Sequence, residues 1–128
     1  MPRSRSSPGT ERRLAAQRSG GRGEALAALF LQMRFYRIRD RRFKTPVGEI
    51  DLVAEKGDAI VFVEVKTRLR PGDEAMALEA VNRARIVRAA QYWLARHPAE
   101  NGRDFRFDVI FLAPRRWPRH LINAFPAF

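Results

Sequence analysis

GEIDLVAEKGDAIVFVEVKTR, from Gly48 to Arg68, decides how the rest of the chain is read. β-Branched and aromatic residues fill both halves, and Lys56-Gly57-Asp58 separates them, which is the signature of a β-hairpin. With Gly57-Asp58 as a two-residue loop, Asp51 stands opposite Glu64 and Glu49 opposite Lys66. Residues two apart in a strand share a face. Glu64 and Lys66 therefore lie together, with Phe62 and Val53 on the same side. Ile50, Leu52, Val61, Val63 and Val65 form the other, core-facing side.

Outward from the hairpin the elements alternate. Upstream, EALAALFLQMRF (Glu24 to Phe35) consists of good helix formers and predicts a helix. It is apolar nearly all round, which predicts burial on several sides. Tyr36 to Lys44 reads as a short basic edge strand, broken by Thr45-Pro46. Downstream, Pro71 to Glu74 is a loop and Glu74 to Arg96 reads as one long helix. Ile86, Ala89, Ala90 and Trp93 form its apolar stripe. Arg85, Arg88 and Arg96 form a second stripe. Phe105 to Ala113 and His120 to Phe125 read as strands around an Arg-rich turn, Pro114 to Pro118. This order predicts an α/β fold with a central mixed β-sheet flanked by helices, in which the strands of Glu64 and Asp108 pair in parallel across a helical crossover.

The 128-residue chain carries 25 Lys and Arg against 14 Asp and Glu, a net charge of +11. Charge of this size speaks about partners. Polyphosphate is favoured over anionic membrane, because the basic helix spends its apolar face on the core. No apolar run reaches the length of a membrane span. There are no cysteines and two histidines, which excludes thiolate chemistry and Cys-based zinc sites and leaves a hard cation on carboxylates as the candidate metal. Residues 1–22 hold six arginines and one glutamate and read as a basic disordered arm. A solvated tail explains their composition equally well. The α/β domain is then 23–128, and a cytoplasmic location is expected.

Two carboxylates facing each other on neighbouring strands repel, and partial burial sharpens the repulsion. A divalent cation relieves it, and an ammonium beside the pair supports charge developing in a transition state. Asp51, Glu64 and Lys66 together suit metal-assisted phosphodiester hydrolysis. An ion-pair ladder in which Lys66 neutralises Glu49 and Glu64 is the simpler account of the same spacing.

GEIDLVA followed by FVEVKTR resembles the YraN-like family of bacterial proteins, which resemble the restriction-endonuclease-like, PD-(D/E)xK, superfamily. Matching pieces at GGRGE (Gly20 to Glu24), RFDV (Arg106 to Val109) and INAF (Ile122 to Phe125) extend the likeness over Gly20 to Phe125. The resemblance implies a restriction-endonuclease-like core and a nuclease site. Asp51 and Glu64 would be ligands of Mg²⁺ or Mn²⁺, and Lys66 would orient or activate the attacking water. Glu24 would be a further acid of the site and a third ligand of the metal, although a helix-start charge is an equal reading of it. Arg42 stands where the family commonly has Asn. Val81-Asn82-Arg83-Ala84-Arg85 lacks the family's usual Lys, which leaves binding rather than proton transfer to these arginines.

The implied partner is nucleic acid, DNA ahead of RNA, contacted by Arg42, Arg68, Arg83, Arg85 and Arg88. A homodimer is a weak expectation by analogy. Non-catalytic nucleic-acid binding and a protein-interaction adaptor are the rival functions. Of the aromatics, Trp93 and Phe105 are assigned to the core. Trp117 is expected to pack on the sheet edge, with stacking on a base as its alternative. Asp108 and His120 are expected to be structural.

Overall fold

A computed structural model describes residues 23–67, 69–70 and 72–126. Helix α1 covers 23–33. It is followed by strands β1 (Arg37–Thr45), β2 (Gly48–Lys56) and β3 (Ala59–Lys66), helices α2 (Glu74–Glu79) and α3 (Arg83–Arg96), a 3₁₀ turn (Pro98–Glu100), and strands β4 (Asp104–Phe111) and β5 (Arg119–Phe125). The strands form one five-stranded sheet in the order β1-β2-β3-β4-β5. All neighbours are antiparallel except β3 and β4, which run parallel from Ala59–Asp104 to Lys66–Phe111. The chain between them supplies α2 and α3, the crossover that a parallel pair requires. This is the mixed sheet flanked by helices that the element order predicts.

Alternation along the strands sends side chains into two cores. On one face Leu52, Val61, Val63 and Ile110 pack under Ala27, Ala28 and Leu31 of α1. On the other, Val53, Ile60, Phe62, Phe107 and Val109 pack under Ile86, Ala89, Ala90 and Trp93 of α3. The stripe read from the sequence of α3 is the buried one, and Trp93 is fully enclosed against Phe62 at 5.8 Å between ring centroids. Gly23 marks the entry of α1. A Cβ there would collide with the Thr67 methyl, so the helix start approaches the end of β3 closely enough to favour glycine.

Several expectations are corrected. The hairpin loop is Gly57-Asp58, as read, but the β2–β3 pairing runs only from Lys56–Ala59 to Leu52–Val63. At Asp51 the alternation breaks: Ile50 joins the α3 core and Leu52 the α1 core, although strict period two puts them on one face. Glu49 consequently meets Arg42, 3.3 Å away, instead of Lys66. The helix read as Glu74 to Arg96 is two helices. Asn82 caps the second by accepting the Arg85 N–H at 3.1 Å, and a good N-cap at that position outcompetes continuation. Helix α1 is buried on one side only. Leu26, Leu29 and Met33 are more than half exposed, because the sheet covers one face and no other described element reaches the outer one. Trp117 does not pack on the sheet edge; it is 82% exposed.

Asp108 and His120 are structural, as expected. Asp108 is fully buried on the α1 face. It accepts from His120 Nε2 at 2.6 Å, from Arg106 Nε at 3.0 Å and from the Asn123 N–H at 2.9 Å. Burial pushes its carboxyl up, and these partners outweigh it, holding the group below the usual carboxylate range.

Candidate active site

The site lies where β2 leaves β3. Beyond Leu52–Val63 the ladder is replaced by a side chain: the Asp51 carboxylate takes the Val65 N–H at 2.8 Å. That bond anchors Asp51 against the strand carrying Glu64 and Lys66. These two continue the register of Ile60 and Phe62, so they project on the α3 face just past the core. Asp51 and Glu64 lie close enough for each carboxyl to act on the charge of the other. Lys66 Nζ is 3.4 Å from Glu64 Oε1. The structure thus brings together the three residues singled out in the hairpin.

Their electrostatics follow from enclosure. Burial, and then the charge of Asp51, push the Glu64 carboxyl up to about 7, against a smaller pull from Lys66. Burial also raises Asp51, although the Val65 N–H opposes this. The single nearby ammonium does not offset two enclosed carboxylates. Ionising both therefore calls for added positive charge. Two oxygen-bearing groups with a cationic neighbour suit a hard divalent ion, since Mg²⁺ takes one or two carboxylates and completes its shell with water and phosphate. Among the described residues, no group of three or more His, Asp or Glu side chains is gathered as ligands. Asp51 and Glu64 are a pair.

Glu24 stands at the edge of this arrangement. It is buried at the start of α1, 3.6 Å from Arg42 Nε. Its carboxyl is raised, first by burial, and it feels the charges of Asp51 and Glu49. Arg42, in a left-handed conformation with φ 50°, faces both Glu24 and Glu49. Its guanidinium is thus engaged with acids of the site. Arg83 lies over the Phe125 ring at 5.4 Å. Arg85 and Arg88 line an open groove of about 620 Å³ between the β1–β2 turn and the start of α3. Gly48 forms its floor: with φ 155°, it leaves room for the Arg85 stem, whose Cγ would lie 2.5 Å from a Cβ there. Arg68 lies outside the described residues, as does the basic arm 1–22.

Sequence reading did not find the Val65 N–H that fixes Asp51, since a backbone donor carries no residue signal. Nor did it find the Gly48–Arg85 contact, although a glycine between Pro46-Val47 and a charged strand was a visible cue. Among the described residues, no helix is long and apolar enough to cross a membrane.

Residues 23–112 match the family described as uncharacterised protein family UPF0102. A UPF0102 protein of Methylorubrum extorquens is 51% identical over 92% of this chain and 91% of its own length. One from a Bradyrhizobium species is 48% identical over 95% of this chain and 90% of its own. A third, from a Chelativorans species, is 45% identical over 93% and 98%. The match spans α1 through β4 and takes in Glu24, Asp51, Glu64 and Lys66, so the acidic hairpin described above is part of a bacterial protein of the UPF0102, or YraN, family, to which this chain belongs.

Proposed function

We propose that the protein is a metal-dependent nuclease that hydrolyses phosphodiester bonds in DNA or structured nucleic acid in the bacterial cytoplasm. The observation that carries this reading is the partly buried Asp51–Glu64 pair with Lys66 beside it. A bound Mg²⁺ or Mn²⁺ supplies a more acidic water and a polarised phosphate. Asp51, held in place by the Val65 N–H on its Oδ2, would be one ligand of the ion. Glu64 ionises near neutrality and supplies the second ligand. Lys66 orients the attacking water and offsets charge on the phosphoryl oxygens. The attacking water would release one proton to solvent as its oxygen bonds to phosphorus, the ester P–O bond would break, and the departing oxygen would take up one proton from solvent. Glu24 tunes the charge balance from α1, and Arg85 and Arg88 hold backbone phosphate in the groove beside Gly48.

The test is a panel of labelled DNA and RNA structures incubated with Mn²⁺. Wild type is expected to cleave at least one of them, and Asp51→Ala and Lys66→Ala to lose cleavage by about a hundredfold or more, the size typical of removing one electrostatic group from such a site. Equal cleavage by Lys66→Ala removes the hydrolytic reading. The pairing of only two acids favours a second reading, a nucleic-acid-binding protein that performs no hydrolysis. Under it, oligonucleotides bind and none is cut.

A further inference from the structure

We propose that Trp117 is a stacking platform for an unpaired nucleobase, so that the substrate next to the hairpin carboxylates is single-stranded or locally opened nucleic acid. This rests on the reading that the α3 face of the sheet meets nucleic acid, and it specifies the form of the strand.

The first observation is exposure. An aromatic side chain of this class usually buries roughly 150–250 Å². Trp117 leaves 82% of its surface in water, whereas Trp93 is wholly enclosed. The second is presentation. The Arg116 N–H closes a turn on Ala113 O, Arg115 inside it is left-handed with φ 61°, and Pro118 follows. A residue before proline is confined to extended backbone, so the indole is held out at little further entropic cost. The third is location. β5 pairs Arg119 with Phe111, and β4 pairs Phe111 with Lys66. Neighbouring strands lie about 4.8 Å apart, which puts Arg119 on the order of 10 Å from Lys66. Phe111 belongs to the α3 core, and Arg119 reaches Glu74 of α2 at 2.9 Å, so both lie on the face of Glu64 and Lys66. Trp117 precedes Arg119 by two residues and shares a small pocket with Arg70, Arg116 and Phe111. An indole among guanidiniums, a few nucleotides from the carboxylates, is the combination that single-strand binders use: cations track phosphates and a ring stacks on a base of any identity. Bases within a duplex are already stacked and offer no such face.

The experiment measures binding in EDTA, so that hydrolysis plays no part. Its probes are a short oligothymidylate, an abasic oligomer of equal length and charge, and a duplex. Trp117→Ala is expected to weaken oligothymidylate binding roughly 5- to 150-fold and leave duplex binding unchanged, while Trp117→Phe keeps most of the affinity. The chain has two tryptophans, and only Trp117 is exposed, so iodide-quenchable emission reports on it. Oligothymidylate is expected to shield that emission, and the abasic oligomer to leave it open. Unchanged oligothymidylate affinity in Trp117→Ala, or equal affinity for the abasic oligomer, overturns the proposal while the nuclease reading stands. Wild type that binds none of the probes, either in EDTA or with Ca²⁺ added, overturns both. Shielding by oligothymidylate in a protein that never cleaves supports the stacking role and removes only the hydrolysis.

Discussion

Glu64 is the residue on which the chemistry of this protein can be read through stability alone. Its carboxyl is raised to about 7 from an ordinary 4.5, by burial first and by Asp51 second. Between those values the folded protein keeps a proton that the unfolded chain has lost. Stability therefore falls as pH rises from about 4.5 to about 7 and levels off above, a change of the order of 3 kcal/mol. Glu64→Gln is expected to flatten this slope and to unfold at a higher urea concentration than wild type above pH of about 7; denaturation at stepped pH measures both. Asp108 shows the opposite case, a buried charge with its partners in place. Asp108→Ala leaves Arg106 and His120 without their buried acceptor and is expected to cost roughly 3–5 kcal/mol in the same assay. Asp108 faces the α1 core, so this variant should retain whatever metal response the Asp51–Glu64 pair has.

At the scale of elements, α3 matters because it closes the core under Phe62 and fixes Arg85 over the groove. Its first turn depends on Asn82, whose side chain takes the Arg85 N–H. Asn82→Ala is expected to lower stability by about 1 kcal/mol and Asn82→Gly by only a few tenths, as thermal unfolding will show. The same residue explains why the sequence reading runs two helices together as one. Apolar periodicity runs through Ala80 to Asn82 without interruption, and the local hydrogen bond that ends it leaves no trace in hydropathy. Strands β2 and β3 were legible because alternation and a Gly-Asp turn agree, and the two-residue loop placed Asp51 opposite Glu64. The break at Asp51 was not legible, since it depends on a tertiary bond between a carboxylate and a backbone N–H fourteen residues away. Trp117 was misassigned for a related reason. An indole is ordinarily core, and only the three-dimensional turn shows that no described element covers it.

For the whole molecule, the ordering of contacts along the chain has a kinetic side. Every acid of the candidate site except Glu24 sits on the β2–β3 hairpin, which needs only a short loop to close. The β3–β4 pairing that buries this hairpin must wait for α2 and α3 to be threaded between the two strands. Hairpins form in about 1–10 μs, long before pairings that depend on distant segments. In the newly born hairpin both carboxylates still face water; the burial that lifts Glu64 comes with the β3–β4 pairing, so the cost of enclosing its charge falls on the later, slower steps of folding. Stopped-flow refolding is expected to run faster at about pH 5 than at about pH 8, and Glu64→Gln to abolish most of the difference. The residues placed to hydrolyse a phosphodiester would then also set a speed limit on the protein's own birth, one that acid relieves.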